Sequence, residues 1–232
     1  MLIRRFGLSF VVFIVSAAAW GANLEDALDA QERGDFVSAL TIFQSLAEEG
    51  DDRALFNLGL MYRHGRGVPQ NNQLAVEYYW RSADKGNQFA QYSLGFLYDI
   101  GEGVEQNYER AAYWYLKSAE QGNEDAEFNL ANMYREGQGV KKDLAKAFSL
   151  FQKFAEQGDP DAQTTLGYMY VNGDGVTLDD VYAYMWWTVA ASSGHEVAAN
   201  NLIMAKEFMS ASQISRAQEL ANSCIKKNFK KC

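Results

Sequence analysis

The chain has 232 residues, of which 48% are hydrophobic and 14% aromatic, with only two prolines. That is enough apolar material for a sizeable core, and it excludes a disordered chain. The formal charge is −9 at pH 7, and a body this acidic repels phosphates, which excludes nucleic acid as a partner.

The chain begins with Met1, Leu2, Ile3, Arg4 and Arg5, then an apolar run from Phe6 to Val15, then small residues from Ser16 to Ala19. A basic start, a short apolar run and a small-residue end describe a secretory signal peptide. Ala17 and Ala19 suit a cut after Ala19, and Ala19 and Gly21 suit one after Gly21, so residues 1–22 are assigned to the signal. The run falls short of the about 20 apolar residues of a spanning helix, which leaves an uncleaved anchor as the weaker alternative. The expectation is an exported bacterial protein, periplasmic or secreted, with no integral membrane segment after cleavage.

Residues 23–49 read as an opening helix pair, with Gly34 between the helices and Asp35 as a natural cap of the second. Its stripe is Ala39, Phe43 and Ala47. From there a frame of 36 residues recurs four times, at 50–85, 86–121, 122–157 and 158–193. The boundary glycines Gly50, Gly86, Gly122, Gly158 and Gly194 stop one helix, and Asp51, Asn87, Asn123 and Asp159 start the next, with His195 as the exception.

Each first helix spaces Ala, Leu and Tyr one turn apart, from Ala54, Leu58 and Tyr62 to Ala162, Leu166 and Tyr170. Gly59, Gly95, Ala131 and Gly167 beside the leucine permit close approach of a neighbour. A Gly-x-Gly turn follows, as at Gly65 to Gly67, and Asn71, Asn107, Asp143 and Asp179 cap a second helix. That helix alternates alanine with a large aromatic: Tyr79, Tyr115, Phe151 and Trp187. Trp80, Trp114 and Trp186 also lie on second helices; packing is their default role, with Trp186 the one placed for partial exposure. No stretch alternates with period two, so no strands are expected. Residues 194–232 read as a half-repeat and a last helix that closes the stack, its Ser210 and Gln213 forming a capping box.

This arrangement of Ala, Leu-Gly, Tyr, Gly-x-Gly-Val, then Ala, aromatic and Ala resembles the Sel1-like repeat, a relative of the tetratricopeptide repeat. The resemblance implies an all-α solenoid of antiparallel helix pairs wound into a right-handed superhelix. It also implies an adaptor: secreted members are linked to envelope assembly, motility, polysaccharide export and host-cell interaction. Cysteine-rich members of Helicobacter, with a disulfide in each repeat, are associated with β-lactam binding or hydrolysis. No repeat here contains cysteine.

Cys224 and Cys232 are the only cysteines, and an even pair in an exported chain reads as a disulfide. Closing that loop is worth about 2.5 kcal/mol in the chain-entropy account. The Gly-x-Gly loops follow helices and carry Glu102 and Asp174, so they are turns and not phosphate cradles. His64 and His195 occupy unrelated positions in the frame, so no Ser-His-Asp or metal arrangement is expected, and no cofactor. Glu124 and Asp125 are read as acids favouring a helix start. Lys226, Lys227, Lys230 and Lys231 suit either a helix C-terminus or a contact with anionic lipid or an acidic partner.

The remaining feature is a second stripe on the first helices. It runs Arg53, Phe56, Leu60, Arg63; Phe89, Tyr92, Phe96, Asp99; Asp125, Phe128, Asn132, Arg135; and Asp161, Thr164, Tyr168, Val171. If first helices line the inner curve, as in the tetratricopeptide family, the stripe paves a concave face for a peptide or partner protein. The alternative for these aromatics is ordinary core between repeats. The expected partner site is Arg53, Phe56, Leu60, Arg63, Tyr92, Phe96, Asp99, Phe128, Asn132, Arg135 and Tyr168. The competing functional readings are an envelope protein that binds or hydrolyses peptidoglycan fragments or β-lactams, and a purely structural envelope subunit.

Overall fold

The computed structural model describes residues 23–230 and 232, and the expected signal segment lies outside the described residues. Among these residues all regular structure is helical. The chain forms two compact units, one ending at Lys85 and the other running from Gly86 to Cys232.

The first unit holds α1 (Leu24–Glu32), α2 (Phe36–Glu48), α3 (Asp52–His64) and α4 (Asn72–Asp84), each packed against the next. Its core joins Phe43 and the flanking alanines of α2 to Leu55, Leu58 and Met61 of α3. The second unit holds α5 (Gln88–Ile100), α6 (Tyr108–Ala119), α7 (Glu124–Glu136), α8 (Leu144–Gln157), α9 (Pro160–Asn172), α10 (Asp180–Ser192), α11 (Glu196–Ala205) and α12 (Ala211–Lys226). From α5 to α11 each helix packs on its sequence neighbours.

The helix ends follow from their residues. Asn71, Asn107, Asp143 and Asp179 each accept a bond from a backbone amide two or three residues on, which satisfies one of the orphan donors of a helix start. Their own amides donate back to the carbonyls of Tyr62, Tyr98, Tyr134 and Tyr170 at 2.8–3.0 Å. The whole double-glycine turn is thereby tied to the helix before it.

Within a pair, the second-helix aromatic is seated on the small residue of the first. A Cβ added at Gly59 would lie 2.5 Å from the Tyr79 ring, one at Gly95 would lie 2.6 Å from Tyr115, and one at Gly167 would lie 2.2 Å from Trp187 Nε1. Where the small residue is Ala131, the aromatic of the pair is Phe151, and both are fully buried.

Between pairs, the turn itself makes the contact. A Cβ on Gly139 would stand 2.0 Å from the carbonyl oxygen of Tyr108, the first residue of α6. One on Gly175 would stand 2.2 Å from that of Leu144, the first residue of α8. In the first unit Gly67 meets Phe36, the first residue of α2, in the same way. The second glycine of each of these turns is therefore a docking point for the preceding second helix, beyond the turn that the sequence suggested.

The C-terminal end departs from expectation. Helix α12 turns back onto α10, burying Ala217, Ala221 and Cys224 in a cluster with Tyr184, Trp186 and Val189. It does not close the stack over α11, whose Val197, Ile203 and Met204 stay exposed together with Phe208 beyond it. Cys224 and Cys232 are joined by a disulfide, and Phe229 between them lies against Gly158. Two tryptophans also exchange roles: Trp186 is 3% exposed and belongs to the core, whereas Trp80 is 50% exposed. Trp186 is buried because it faces the returning α12.

The glycines give a direct stability test. Gly139→Ala is expected to cost about 3–4 kcal/mol, adding a backbone collision to left-handed strain. Gly122→Ala has the same kind of backbone, φ +90°, but open space around it, and should cost only about 1–2 kcal/mol. Urea unfolding followed by circular dichroism distinguishes the two.

Candidate functional site

None of the eleven expected site residues is fully buried. In the first unit Phe56 leans on Tyr79 with ring centroids 5.7 Å apart, while Leu60 and Arg63 are half-buried and Arg53 is exposed beside Asp51. In the second unit Tyr92 leans on Tyr115 at 5.8 Å, and Phe128 meets Phe151 and Phe154 edge-on at 5.6 and 5.4 Å. Each ring is thus part wall and part surface, which lies between the groove and core readings.

Tyr92 and Phe128 border a crevice of about 270 Å³ whose other walls are Phe154, Asn129 and the carboxylates Glu124, Asp125, Asp159 and Asp161. Glu124 and Asp125 are acids at a helix start, as expected, and both are exposed. The period stacks Asp161 one repeat beyond Asp125, so the acids of two helix starts meet beside the aromatic rings. That coincidence was available in the 36-residue spacing.

Further along the same helices, Phe96, Asn132 and Arg135 are half-buried. The Arg135 guanidinium lies 5.5 Å from the Phe151 ring centroid and bonds Glu136 at 3.1 Å. Asn132 donates to the Phe128 carbonyl at 3.3 Å. Asp99 accepts from the Tyr115 hydroxyl at 3.4 Å. Burial pushes the Asp99 carboxyl above the usual carboxylate range against that bond, and pushes the Tyr115 hydroxyl up as well.

The fourth repeat breaks the stripe. Thr164 stands where the others have Phe56, Tyr92 and Phe128, and it is 5% exposed. Its carbonyl accepts from Trp187 Nε1 at 3.1 Å, and Tyr168, one turn on, supplies the ring that meets Trp187 at 5.6 Å. Tyr168 therefore faces a different cavity from Tyr92 and Phe128.

His195 corrects two expectations. It is the N-cap of α11, its Nδ1 accepting from the Ala198 amide at 3.3 Å, so it continues the series of Asp and Asn caps. The fold also brings it to Thr164, at 3.0 Å from Nδ1, and to Asp161, at 3.0 Å from Nε2. This is the hydroxyl, imidazole and carboxylate convergence that the frame seemed unable to supply, since 31 and 34 residues separate the partners. It is nevertheless a joint between repeats. The Thr164 hydroxyl donates to the Pro160 carbonyl at 2.8 Å, and a neutral imidazole has one acceptor nitrogen, which the Ala198 amide already uses.

Among the described residues no group of three or more His, Cys, Asp or Glu side chains is placed to hold a metal ion. No helix among them is long and apolar enough to cross a membrane.

With the 36-residue geometry in place, comparison with known proteins settles the family. The Sel1 repeat family model matches residues 52–87, 88–123, 124–159 and 160–195. The chain belongs to the Sel1 repeat family. The matched windows begin two residues inside the repeat bounds read from the sequence and keep the same period. The solved Sel1 repeat protein from Oxalobacter formigenes is similar, with a TM-score of 0.73 at 28% identity over 88% of this chain and 85% of that one. So is c5321, described as a protective antigen of uropathogenic Escherichia coli with an SLR fold, with a TM-score of 0.56 at 30% identity over 89% of this chain. The match spans 54% of the c5321 chain, about half of its length. No curated protein matches the sequence. Proteins built of Sel1 repeats serve in general as protein-interaction scaffolds, and the fold is typically noncatalytic.

Two substitutions test this geometry. His195→Asn should retain thermal stability, because asparagine is a good cap, whereas His195→Ala should lose about 1 kcal/mol. For Asp99, burial favours the protonated acid in the fold. Its ionisation therefore removes stability as pH rises above the ordinary value of 3.8. Asp99→Asn should match or exceed the native melting temperature at pH 7, with the difference vanishing as pH falls below that range. Differential scanning calorimetry across pH reads both outcomes.

Proposed function

We propose that this Sel1 repeat protein is an exported, noncatalytic scaffold that holds a peptide or partner protein on the face its first helices share, the concave face expected of stacked helix pairs. The observation that carries the reading is the crevice of the second unit, where Tyr92 and Phe128 stand half-exposed at the same phase of consecutive repeats beside four carboxylates. Flat rings recurring at a fixed interval offer large contact area at low entropic cost. The carboxylates favour a partner segment carrying lysine or arginine, which also gains by lying over the rings. Phe96, Asp99, Asn132 and Arg135 extend that surface by one helical turn and supply mixed charge for register.

Export is supported by the basic and apolar start of the sequence and by the disulfide, which persists in oxidising compartments.

The test is photo-crosslinking of the protein in the bacterial envelope, with the reactive group placed at Asn132. The wild type is expected to give a discrete adduct, and Phe96→Glu and Arg135→Glu are expected to reduce it at least tenfold while helical circular dichroism is unchanged. Loss of helical signal in both variants would show that the stripe is structural. Turnover of a chromogenic β-lactam or of muropeptides by the purified protein would replace the scaffold reading with the enzymatic one.

A further inference from the structure

The turn after α7 carries a charge that its counterparts lack. Lys141, Lys142 and Lys146 crowd into one short segment of a chain whose acids outnumber its bases by 30 to 21. The equivalent positions one repeat earlier are Glu105, Gln106 and Arg110, and one repeat later Thr177, Leu178 and Tyr182. All three turns are capped and tied to the preceding helix in the same way, so the turn itself does not call for lysine.

The three lysines border a hollow of about 700 Å³ together with Tyr134 and Asp143. Lys141 and Lys142 are exposed and form no ion pair among the described residues. Asp143, the acid of the hollow, is engaged as the cap of α8, where it accepts from the Lys146 amide at 2.9 Å. The Lys146 ammonium donates to the Tyr134 hydroxyl at 2.7 Å. Like charges gathered in this way repel one another, and an anion set between them relieves the repulsion.

Tyr134 and Lys146 also line a groove of about 370 Å³ formed by α6, α7 and α8. Its apolar walls are Leu116, Leu130 and Leu150, of which Leu116 is 42% exposed. A basic hollow and an apolar groove therefore meet at one tyrosine and lysine pair.

These features narrow the ligand. It is anionic on one side of that pair and apolar on the other. The groove is at the small end of ligand pockets, about 300–1,000 Å³, and suits an apolar side chain with its adjoining backbone. Glu120 and Glu127 stand beside the leucines, and Glu127 pairs with Lys153. An acyl chain would bring hydrocarbon against these carboxylates, whereas a peptide backbone supplies N–H donors to them. The chain's own end does not fit, because Lys230 and Lys231 are basic.

We propose that the basic hollow and the leucine groove together form a docking surface for an acidic segment of a polypeptide partner. Its carboxylates meet Lys141, Lys142 and Lys146, and an apolar side chain beside them enters the groove. The inference rests on the scaffold reading only in taking the ligand to be polypeptide. It needs no residue of the crevice at Tyr92 and Phe128, which lies by the start of α7 and favours cations, whereas the hollow follows the end of that helix.

Backbone amide signals of residues 140–150 in the purified 15N-labelled protein report on the site. Titration with a capped peptide of six glutamates around one central leucine should shift them saturably. The same peptide with glutamine for glutamate should bind about tenfold more weakly, and so should the wild-type peptide to the double variant Lys141→Glu, Lys142→Glu. Leucine to alanine in the peptide, or Leu116→Ser in the protein, should weaken binding about threefold, with helical circular dichroism unchanged. Lys226→Glu with Lys227→Glu makes an equal change of charge away from the hollow, and Phe96→Glu tests the crevice; both should leave the titration intact, so failure of one site is distinguishable from failure of the other. The assignment is overturned by unshifted amides in the wild type, by equal binding of the glutamine peptide, or by an equal loss in the Lys226 and Lys227 variant. It is also overturned if the Lys141 and Lys142 variant abolishes co-sedimentation of the wild type with phosphatidylglycerol vesicles, which would assign the lysines to lipid, or abolishes its self-association, which would assign them to a second copy.

Discussion

The contact on which the repeat depends is the approach of the second glycine of a turn, at Gly67, Gly139 and Gly175, to the start of the preceding second helix. At Gly139 and Gly175 the gap to the Tyr108 and Leu144 carbonyls is narrower than one methyl group. Two backbones that close leave no freedom in how one helix pair follows another. The turn is tied in addition to its own first helix by the amides of the capping residues, as in Asp143 to Tyr134. A single short segment thus sets both the angle within a pair and the step between pairs, and side chains are chosen against that fixed step.

The aromatic and small-residue pairing shows how. Tyr79 over Gly59 and Tyr115 over Gly95 fill one volume with one solution. The third repeat divides the same volume between Ala131 and Phe151, and the fourth gives Gly167 the larger Trp187. The tryptophan in turn removes the need for a ring at Thr164, whose carbonyl it bonds, and Tyr168 becomes the exposed aromatic of that repeat. Small changes in how one gap is filled therefore decide which residues reach the surface and what that surface is able to hold.

Most of the repeat was readable because its signals are local and recur. Gly-x-Gly, the Asp and Asn caps and the alanine stripes each repeat at 36 residues, and each has one backbone cause. What escaped depended on packing between elements. His195 was read as an exception because its residue type is an unusual cap, although its place in the frame is the ordinary one. Its meeting with Thr164 and Asp161 needs the rise between repeats, which no local pattern states. Trp186 is buried by the returning α12, a contact that no pattern on its own helix states.

The equal phase of Tyr92 and Phe128 has a metrical consequence. Whatever spans both rings must present its own contacts at the interval that the glycine turns impose. Composition alone would not qualify a ligand held there as proposed: lengthening or shortening it by one residue between those contacts would put the second out of step, so its length would be selected along with its chemistry.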